Sequence, residues 1–146
     1  MSPSSFLLAL SHLRGTSRNL PQFLELLRKV EQPMRDYIVT YEILGLWSLG
    51  FRYNPPWSSD AAGFEIPSYE DFLWEINESE IALIYFSDIV LVGFDSAGTG
   101  DPIVIEIPSG RVLLLDHEVA SHTNPFENAT ILSESTEEFA ASLRPW

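Results

Sequence analysis

Cysteine is missing from the 146-residue sequence, and long uncharged apolar runs are missing as well. The absence of cysteine excludes disulfides, cysteine-ligated zinc, iron–sulfur clusters and thiol catalysis. The densest apolar stretch, residues 81–94, is interrupted by Ser87 and Asp88. It falls short of the roughly 18 uncharged residues that a membrane helix needs. No basic region precedes the short apolar run at residues 6–10, so we expect a cytoplasmic protein without a targeting signal or membrane contact.

Lysine and arginine are scarce, and their placement is uneven. The chain has 8 Lys and Arg residues against 21 Asp and Glu residues, which gives a formal net charge of −13. Residues 1–52 contain six bases and four acids, residues 53–146 contain two bases and seventeen acids, and residues 53–110 contain no base at all. This balance argues against binding to nucleic-acid phosphates and predicts a negative field that attracts cationic partners. Solubility alone is the simpler interpretation of the same charge.

The rest of the composition is typical of one globular domain. Hydrophobic residues make up 45% of the chain and charged residues 20%. A chain of this length buries about two thirds of the surface that it exposes when unfolded, which is enough for a hydrophobic core. We therefore expect a single domain over residues 1–146, with residues 1–18 as a flexible extension that contains part of a helix.

Apolar spacing and capping residues predict three further helices. Leu20-Pro21 begins a helix that ends before Pro33, because proline suits a first helical turn and stops a later one. Its apolar residues recur at three- and four-residue steps and form one stripe: Leu20, Phe23, Leu24, Leu27 and Val30. A short helix through Ile76 and a last helix are each marked by an N-capping serine and an acid three residues later, Ser68 with Asp71 and Ser135 with Glu138.

Segments rich in β-branched and aromatic side chains predict five strands. They cover residues 37–49, which also allow a helix, and residues 81–86, 89–94, 103–107 and 112–115. The last two form a hairpin, and alternation in the first of that pair predicts burial on one face. Residues 50–64 are expected to be a loop, and residues 118–132 are expected to be irregular. The order of elements favours an α+β domain, with N-terminal, middle and C-terminal helices packed against a mostly antiparallel sheet.

A glycine-rich turn precedes the hairpin, at residues 95–101. Gly98 and Gly100 allow positive φ angles, so the chain can reverse sharply between strands. Asp101 can accept hydrogen bonds from nearby backbone amides, and Pro102 limits hydrogen bonding at the start of the next strand. These four residues are predicted to form a structural turn motif rather than a phosphate-binding loop, because no Gly-Lys-Ser sequence or helix follows.

The turn, the hairpin and the last helix together resemble a known family. Gly98-Thr99-Gly100-Asp101-Pro102 leads into a strand, a second strand ends in Asp116-His117, and Glu137-Glu138-Phe139 precedes Leu143. This arrangement is similar to the SUKH superfamily, the Smi/Knr-like and Syd-like domains that include many bacterial immunity proteins. The resemblance covers roughly residues 19–144. It implies a non-enzymatic α+β domain that binds a toxin protein and neutralises it.

One cluster has the side chains for metal binding or acid–base chemistry: Asp116, His117, Glu118 and His122. Imidazole and carboxylate ligands suit zinc or manganese. The spacing is not that of a His-Glu-x-x-His helix, and no third well-placed ligand is visible. We therefore expect His117 to satisfy the end of a strand, and we predict no catalytic, metal-binding or cofactor-binding residue. A small metal-dependent enzyme centred on His117 is the alternative.

The candidate partner surface lies in the base-free segment. Six residues there are candidates for contact with a protein partner: Trp57, Asp60, Glu70, Asp71, Glu75 and Asp95. Trp57 is expected either to anchor an interface or to cover the core of its own domain, and residues 72–74 are expected to belong in part to the core.

The resemblance implies that the partner is a cationic toxin domain. If that toxin is a basic nuclease, an acidic domain can occupy its cleft as a nucleic-acid mimic. The protein is expected to bind neither nucleic acid nor membrane, and to be a monomer or a weak homodimer. The alternative function is a regulatory or scaffolding adaptor that binds a resident cellular protein with the same surface.

Overall fold

One antiparallel sheet of seven strands lies within residues 3–15, 20–86, 88–96 and 100–145, which are the residues that the computed structural model describes. In chain order the strands are β1 (Gly50–Tyr53), β2 (Ala62–Glu65), β3 (Ile89–Asp95), β4 (Pro102–Glu106), β5 (Arg111–Leu114), β6 (Thr130–Ser133) and β7 (Arg144–Pro145). Their order across the sheet is β6-β5-β4-β3-β2-β1-β7, and every neighbouring pair is antiparallel.

Helices from the beginning, middle and end of the chain pack with this sheet, so the predicted α+β class is confirmed. The α-helices of the described residues are α1 (Pro3–Leu10), α2 (Leu20–Lys29), α3 (Met34–Leu44), α4 (Tyr69–Asn77) and α5 (Thr136–Ser142). A 3₁₀-helix, Ala82–Phe86, lies between α4 and β3. Helix α3 contacts β3, and α5 contacts β5 and β6.

The elements predicted from local signals are present. Helix α2 begins at Leu20, and α4 and α5 begin directly after the N-capping serines that the sequence indicates. The Oγ atom of Ser68 accepts a hydrogen bond from the Asp71 amide at 3.2 Å, and the Oγ atom of Ser135 accepts one from the Glu138 amide at 3.2 Å. Each bond satisfies one amide that the helix itself leaves unpaired at its N-terminus.

The predicted hairpin is formed by β4 and β5. Ile105 lies opposite Val112 in their antiparallel register. The prediction that the first strand is buried on one face only is wrong, because Val104 is as deeply buried as Ile103 and Ile105. The central strands are therefore covered on both faces, and their sequence is a continuous apolar run rather than an alternating one.

Residues 37–49 were the least decisive segment of the sequence, and the strand prediction for them is wrong. Most of the segment belongs to α3, whose residues Tyr37, Tyr41 and Leu44 are buried at four- and three-residue steps. The buried hydroxyl of Tyr41 donates a hydrogen bond to the Val92 carbonyl oxygen at 2.6 Å, which ties the helix to the sheet. Packing against the sheet thus outweighs the strand preference of aromatic and β-branched residues.

Three other segments differ from the prediction. Residues 81–86 do not form a strand, because Ala82–Phe86 is a 3₁₀-helix. The predicted loop at residues 50–64 contains β1 and most of β2, so only residues 54–61 connect the two strands. Strand β6 begins inside the segment predicted to be irregular. Strands of four residues are too short for an alternating pattern to stand out in a sequence.

The N-terminal segment is part of the core, at least through residue 15, rather than an extension. Phe6, Leu10 and Leu13 are buried, and α1 packs against α3 and α5. The Gly15 amide donates a hydrogen bond to the Leu44 carbonyl oxygen at 2.8 Å. Residues 1, 2 and 16–18 of the predicted extension lie outside the described residues.

Helix α2 turns a different stripe inward from the one predicted. Phe23, Leu26 and Val30 are buried, whereas the side chains of Leu20 and Leu24 are 58% and 49% exposed. The predicted and observed stripes share Phe23 and Val30. The apolar spacing therefore predicts the position of the helix correctly but not the face that is buried.

Candidate functional site

Helix α4 contains three of the six predicted partner residues, and an N-cap and a buried face fix its orientation. Ser68 caps its first turn, while Phe72 and Ile76 are buried one turn apart. Full burial of a side chain such as Phe72 stabilises the fold by about 2 kcal/mol. Glu70 and Asp71 are exposed in the first turn, where negative charge interacts favourably with the helix dipole.

Trp74 lies on the outer face of α4 and is 57% exposed. The prediction that residues 72–74 belong in part to the core holds for Phe72, which is fully buried, and for Leu73, which is half-buried. Trp74 instead separates two open grooves, because it lines both of them. Tryptophan is among the residues that most often dominate the binding energy of protein interfaces.

The first groove runs between α2 and α4. Lys29 lines it from α2, and Glu70, Leu73 and Glu78 line it from α4 and the residue after that helix. Lys29 forms an ion pair with Glu25 on its own helix at 3.6 Å. This groove therefore contains charges of both signs.

The second groove lies on the other side of Trp74 and encloses about 520 Å³. One wall is formed by the end of α4 and the residues after it, including Glu75, Glu78 and Glu80. The opposite wall contains Pro102 and His117. Below we call this cavity the α4–His117 groove.

Glu75 is half-buried in this groove and is held in place by its neighbours. The Tyr85 hydroxyl donates a hydrogen bond to its Oε2 atom at 3.3 Å, and the Ser79 hydroxyl donates to its backbone carbonyl oxygen at 2.6 Å. Burial raises the pKa of Glu75, while hydrogen bonds from Ser79 and Tyr85 and the nearby His117 partly offset that rise. The carboxylate is therefore less well solvated than an ordinary surface glutamate.

His117 is bound to Asp101 across the hairpin. The backbone amide of His117 donates a hydrogen bond to Oδ1 of Asp101 at 3.2 Å, and the Nδ1 atom contacts the same oxygen. The hydrogen bond to Asp101 raises the pKa of His117, since a carboxylate partner favours the protonated ring. The second wall of the groove thus contains a histidine whose partner is already fixed.

The turn before β4 positions this pair. Gly100 has a φ angle of +76°, and the Asp95 amide donates a hydrogen bond to the Asp101 backbone oxygen at 2.9 Å. Pro102 is the first residue of β4 and lies opposite Phe94. Gly98, the remaining residue of the predicted turn motif, lies outside the described residues.

The other candidates of the cluster near His117 do not assemble into a metal site. Within the described ranges, no three or more His, Asp or Glu side chains come close enough to hold a metal ion together. The Oδ1 atom of Asp116 accepts a hydrogen bond from the Glu118 amide at 3.0 Å, and His122 is exposed. The arrangement supplies a turn at the end of the hairpin, not a set of converging ligands.

The remaining predicted partner residues lie outside α4. Trp57 is 54% exposed in the loop between β1 and β2, and Asp60 is exposed in the same loop. Asp95 ends β3 opposite Phe64. Burial, together with the charge of Asp95, raises the pKa of Tyr53 to about 12. The six candidates therefore come from three elements.

The surface around α4 keeps an uncompensated negative charge. In the described parts of the chain, ion pairs join Glu25 to Arg28 and Lys29, and Glu106 to Arg111. Across those same parts, none is formed by the five acids of α4 and the residues after it: Glu70, Asp71, Glu75, Glu78 and Glu80. The structure thus retains the charge asymmetry of the sequence at this surface.

Sequence reasoning missed five residues of the α4–His117 groove as site residues: Trp74, Glu78, Ser79, Glu80 and Ile81. The phase of α4 was the available signal, because Phe72 and Ile76 on the inner face place Trp74 on the outer face. His117 was singled out in the sequence, but only the folded hairpin brings it to the wall opposite Glu75.

No family model, no curated protein and no solved structure matches the chain. The resemblance to the SUKH superfamily therefore rests on the sequence motifs alone. Among the helices of the described residues, none combines the length and apolar character that crossing a bilayer requires.

Proposed function

We propose that the protein is a non-enzymatic, cytoplasmic immunity protein that binds a cationic toxin domain through its acidic surface and thereby neutralises it. The observation that carries this proposal is the group of acids on and after α4 that form no ion pair within the described residues, next to an exposed tryptophan. Unpaired carboxylates speed association with a positively charged protein, and a nearby aromatic side chain supplies contact energy.

The immunity function itself draws on the resemblance to the SUKH superfamily. The turn with Gly100 and Asp101, the hairpin that follows it and the capped last helix are the features of that resemblance. A nuclease is the kind of toxin that fits the charge best, because its substrate-binding cleft must be basic to bind phosphates.

Two experiments test the proposal. The tagged protein is used to capture its partner from its own cells at moderate salt, and the partner is identified by mass. The partner is then expressed alone and together with this protein. A basic partner that kills cells alone and spares them in co-expression supports the proposal. A harmless resident partner contradicts it and favours the adaptor function.

The predicted surface residues are tested in the same survival assay. A variant with five acids neutralised is expected to protect cells less well while remaining folded: Asp60→Asn, Glu70→Gln, Asp71→Asn, Glu75→Gln and Asp95→Asn. Exposed and half-exposed carboxylates contribute little to the free energy of folding, so binding rather than folding should respond. Full protection by this variant would contradict the role of the acidic surface.

A further inference from the structure

We infer that the α4–His117 groove binds an arginine side chain of the protein partner, with its guanidinium group on the indole of Trp74 and its charge next to Glu75, Glu78 and Glu80. The inference rests on the proposed function, because it names the part of the acidic surface that recognises a cationic partner.

The exposed indole is the first reason. Trp74 is 57% exposed, although α4 has a buried face that could have accommodated a large apolar side chain. Tryptophan and arginine are the residues most enriched among those that dominate binding energy in interfaces. A guanidinium group stacks favourably on an indole face, because the electron-rich ring attracts the cation.

The charges of the groove are the second reason. Glu75 and Glu78 are one helical step of three residues apart, and Glu80 follows on the same wall. No lysine or arginine lies within residues 53–110, and the cation of the opposite wall, His117, is already bound to Asp101. An incoming guanidinium group would therefore meet carboxylates without a competing basic side chain from this segment of the chain.

The shape and apolar lining of the groove are the third reason. Ile81 and Pro102 contribute apolar surface, against which the aliphatic part of an arginine side chain can pack. Glu75 is held by Tyr85 before any partner arrives, so less conformational entropy is lost when a cation binds there. Arginine fits better than lysine because its planar guanidinium group both stacks on an indole and binds carboxylates in pairs.

The neighbouring groove on the other side of Trp74 is less suitable for a cation. Lys29 lines it together with Glu70, so a positive charge already competes there, whereas no lysine or arginine of the described residues lines the α4–His117 groove; Glu78 lines both grooves. The α4–His117 groove is therefore the better site on this helix.

The test uses a short peptide, acetyl-Arg-Gly-Arg-amide, and a matched peptide in which neutral citrulline replaces both arginines. Binding to the full chain is followed by NMR through the indole N–H signals of the tryptophans and the backbone amides. We expect the arginine peptide to shift the Trp74 indole signal and the amides of residues 75–81, and the citrulline peptide to bind at least about tenfold more weakly.

Variants distinguish binding of the peptide in the groove from its general attraction to a negatively charged protein. Trp74→Ala and the triple variant Glu75→Gln, Glu78→Gln, Glu80→Gln are each expected to lower the peptide affinity at least about fivefold. The matched controls are Leu8→Ala, at a large apolar side chain that is 73% exposed on α1, and a second triple variant with the same loss of charge, Glu127→Gln, Glu134→Gln, Glu137→Gln. Equal losses in the two triple variants, or signal shifts that lie elsewhere, would overturn the inference.

The survival assay distinguishes the failure of this inference from the failure of the proposed function. Suppose the variant Glu75→Gln, Glu78→Gln, Glu80→Gln protects cells from the captured toxin as well as the native protein does. The groove then does not bind the partner, and the immunity function stands. If the arginine peptide binds as expected and the captured partner is harmless, the groove binds arginine and the immunity function is wrong.

Discussion

His117 and Asp101 are joined twice, because both the backbone amide and the Nδ1 atom of His117 contact one carboxylate oxygen of Asp101. Asp101 directly precedes β4, and His117 follows β5 after two residues, so the contact closes the open end of the hairpin. It also orients the wall of the α4–His117 groove that faces Glu75. A structural turn and a candidate binding surface thus share one residue pair.

Replacing Asp101 by Asn should lower the pKa of His117, because the variant removes the carboxylate that favours the protonated ring. The pKa is measured by NMR titration of the His117 ring signals in the native protein and in Asp101→Asn. An unchanged pKa would show that the contact with Asp101 does not control the charge of His117.

The same pair should make stability depend on pH. The folded-state pKa of His117 is raised above its ordinary value of 6.5, so its contribution to stability is fully present below pH 6.5. That contribution is lost as the pH rises through the higher folded-state value. The free energy of unfolding, measured with urea, should therefore differ less between the native protein and Asp101→Asn at a pH above the folded-state pKa of His117 than at a pH below 6.5. A difference that does not vary with pH would contradict this linkage.

Glu75→Gln should reduce a second dependence of stability on pH, which has the same sign as that of His117 but begins at a lower pH. Burial raises the pKa of Glu75 above its ordinary value of 4.5, so the folded state favours the protonated acid. For such an acid, stability is greatest below pH 4.5 and falls as the pH rises through the folded-state value. The variant should be at least as stable as the native protein at neutral pH. Urea unfolding at acid and neutral pH measures this, with Glu127→Gln as the exposed control; an equal response in both variants would contradict it.

Gly15→Ala should destabilise the protein strongly. A Cβ atom at Gly15 would lie 1.6 Å from the backbone oxygen of Gly45, which ends α3 with a φ angle of +69°. Neither backbone can move without breaking the bond between the Gly15 amide and the Leu44 carbonyl oxygen. We expect a loss of more than about 2 kcal/mol in the free energy of unfolding.

The control for Gly15 is Gly110→Ala. Gly110 also has a positive φ angle, +75°, but the nearest atom to a new Cβ, in Thr136, is 3.9 Å away. Only the backbone penalty of about 1 kcal/mol applies there. If Gly15→Ala lowers the free energy of unfolding in urea no more than Gly110→Ala does, residues 15 and 45 do not approach each other closely.

Ser68→Ala should loosen α4 without affecting α5, and Ser135→Ala should do the reverse. Each serine accepts a hydrogen bond from an amide in the first turn of its helix, and loss of such a cap costs about 1 kcal/mol. Hydrogen exchange measured residue by residue should be faster in the uncapped helix only. Only Ser68→Ala should also lower the affinity for the arginine peptide, because Trp74 lies on α4. Uniform acceleration in both helices would contradict this separation.

The elements that the sequence predicts correctly are those with local signals. Ser68 and Ser135 mark α4 and α5 through contacts within three residues, and the β4–β5 hairpin follows from two apolar runs around a short turn. For residues 37–49 the sequence favours a strand over the helix that it also allows, because the stability of α3 depends on distant partners. Tyr41 binds Val92, and the buried Glu42 accepts a hydrogen bond from Tyr69. The helical spacing of Tyr37, Tyr41 and Leu44 is present in the sequence, but the aromatic and β-branched residues of the segment also favour a strand.

The site was predictable only in part for the same reason. The lack of lysine and arginine in residues 53–110 is visible in the sequence and indicates an acidic surface. The groove is not visible there, because its walls are built from α4 and from Pro102 and His117, which are distant in the chain. That Trp74 borders this groove depends on the phase of α4, whereas Trp57 lies in the loop between β1 and β2.

The most direct test of the account measures how fast the captured partner associates with this protein as the ionic strength rises. Stopped-flow mixing compares the native protein with the variant Glu75→Gln, Glu78→Gln, Glu80→Gln. The account predicts that the native association rate falls steeply between low and physiological ionic strength, that the variant is slower at low salt, and that the two rates converge at high salt. Association rates that are indifferent to salt, or equal in the two proteins at low salt, would contradict capture by the acidic surface.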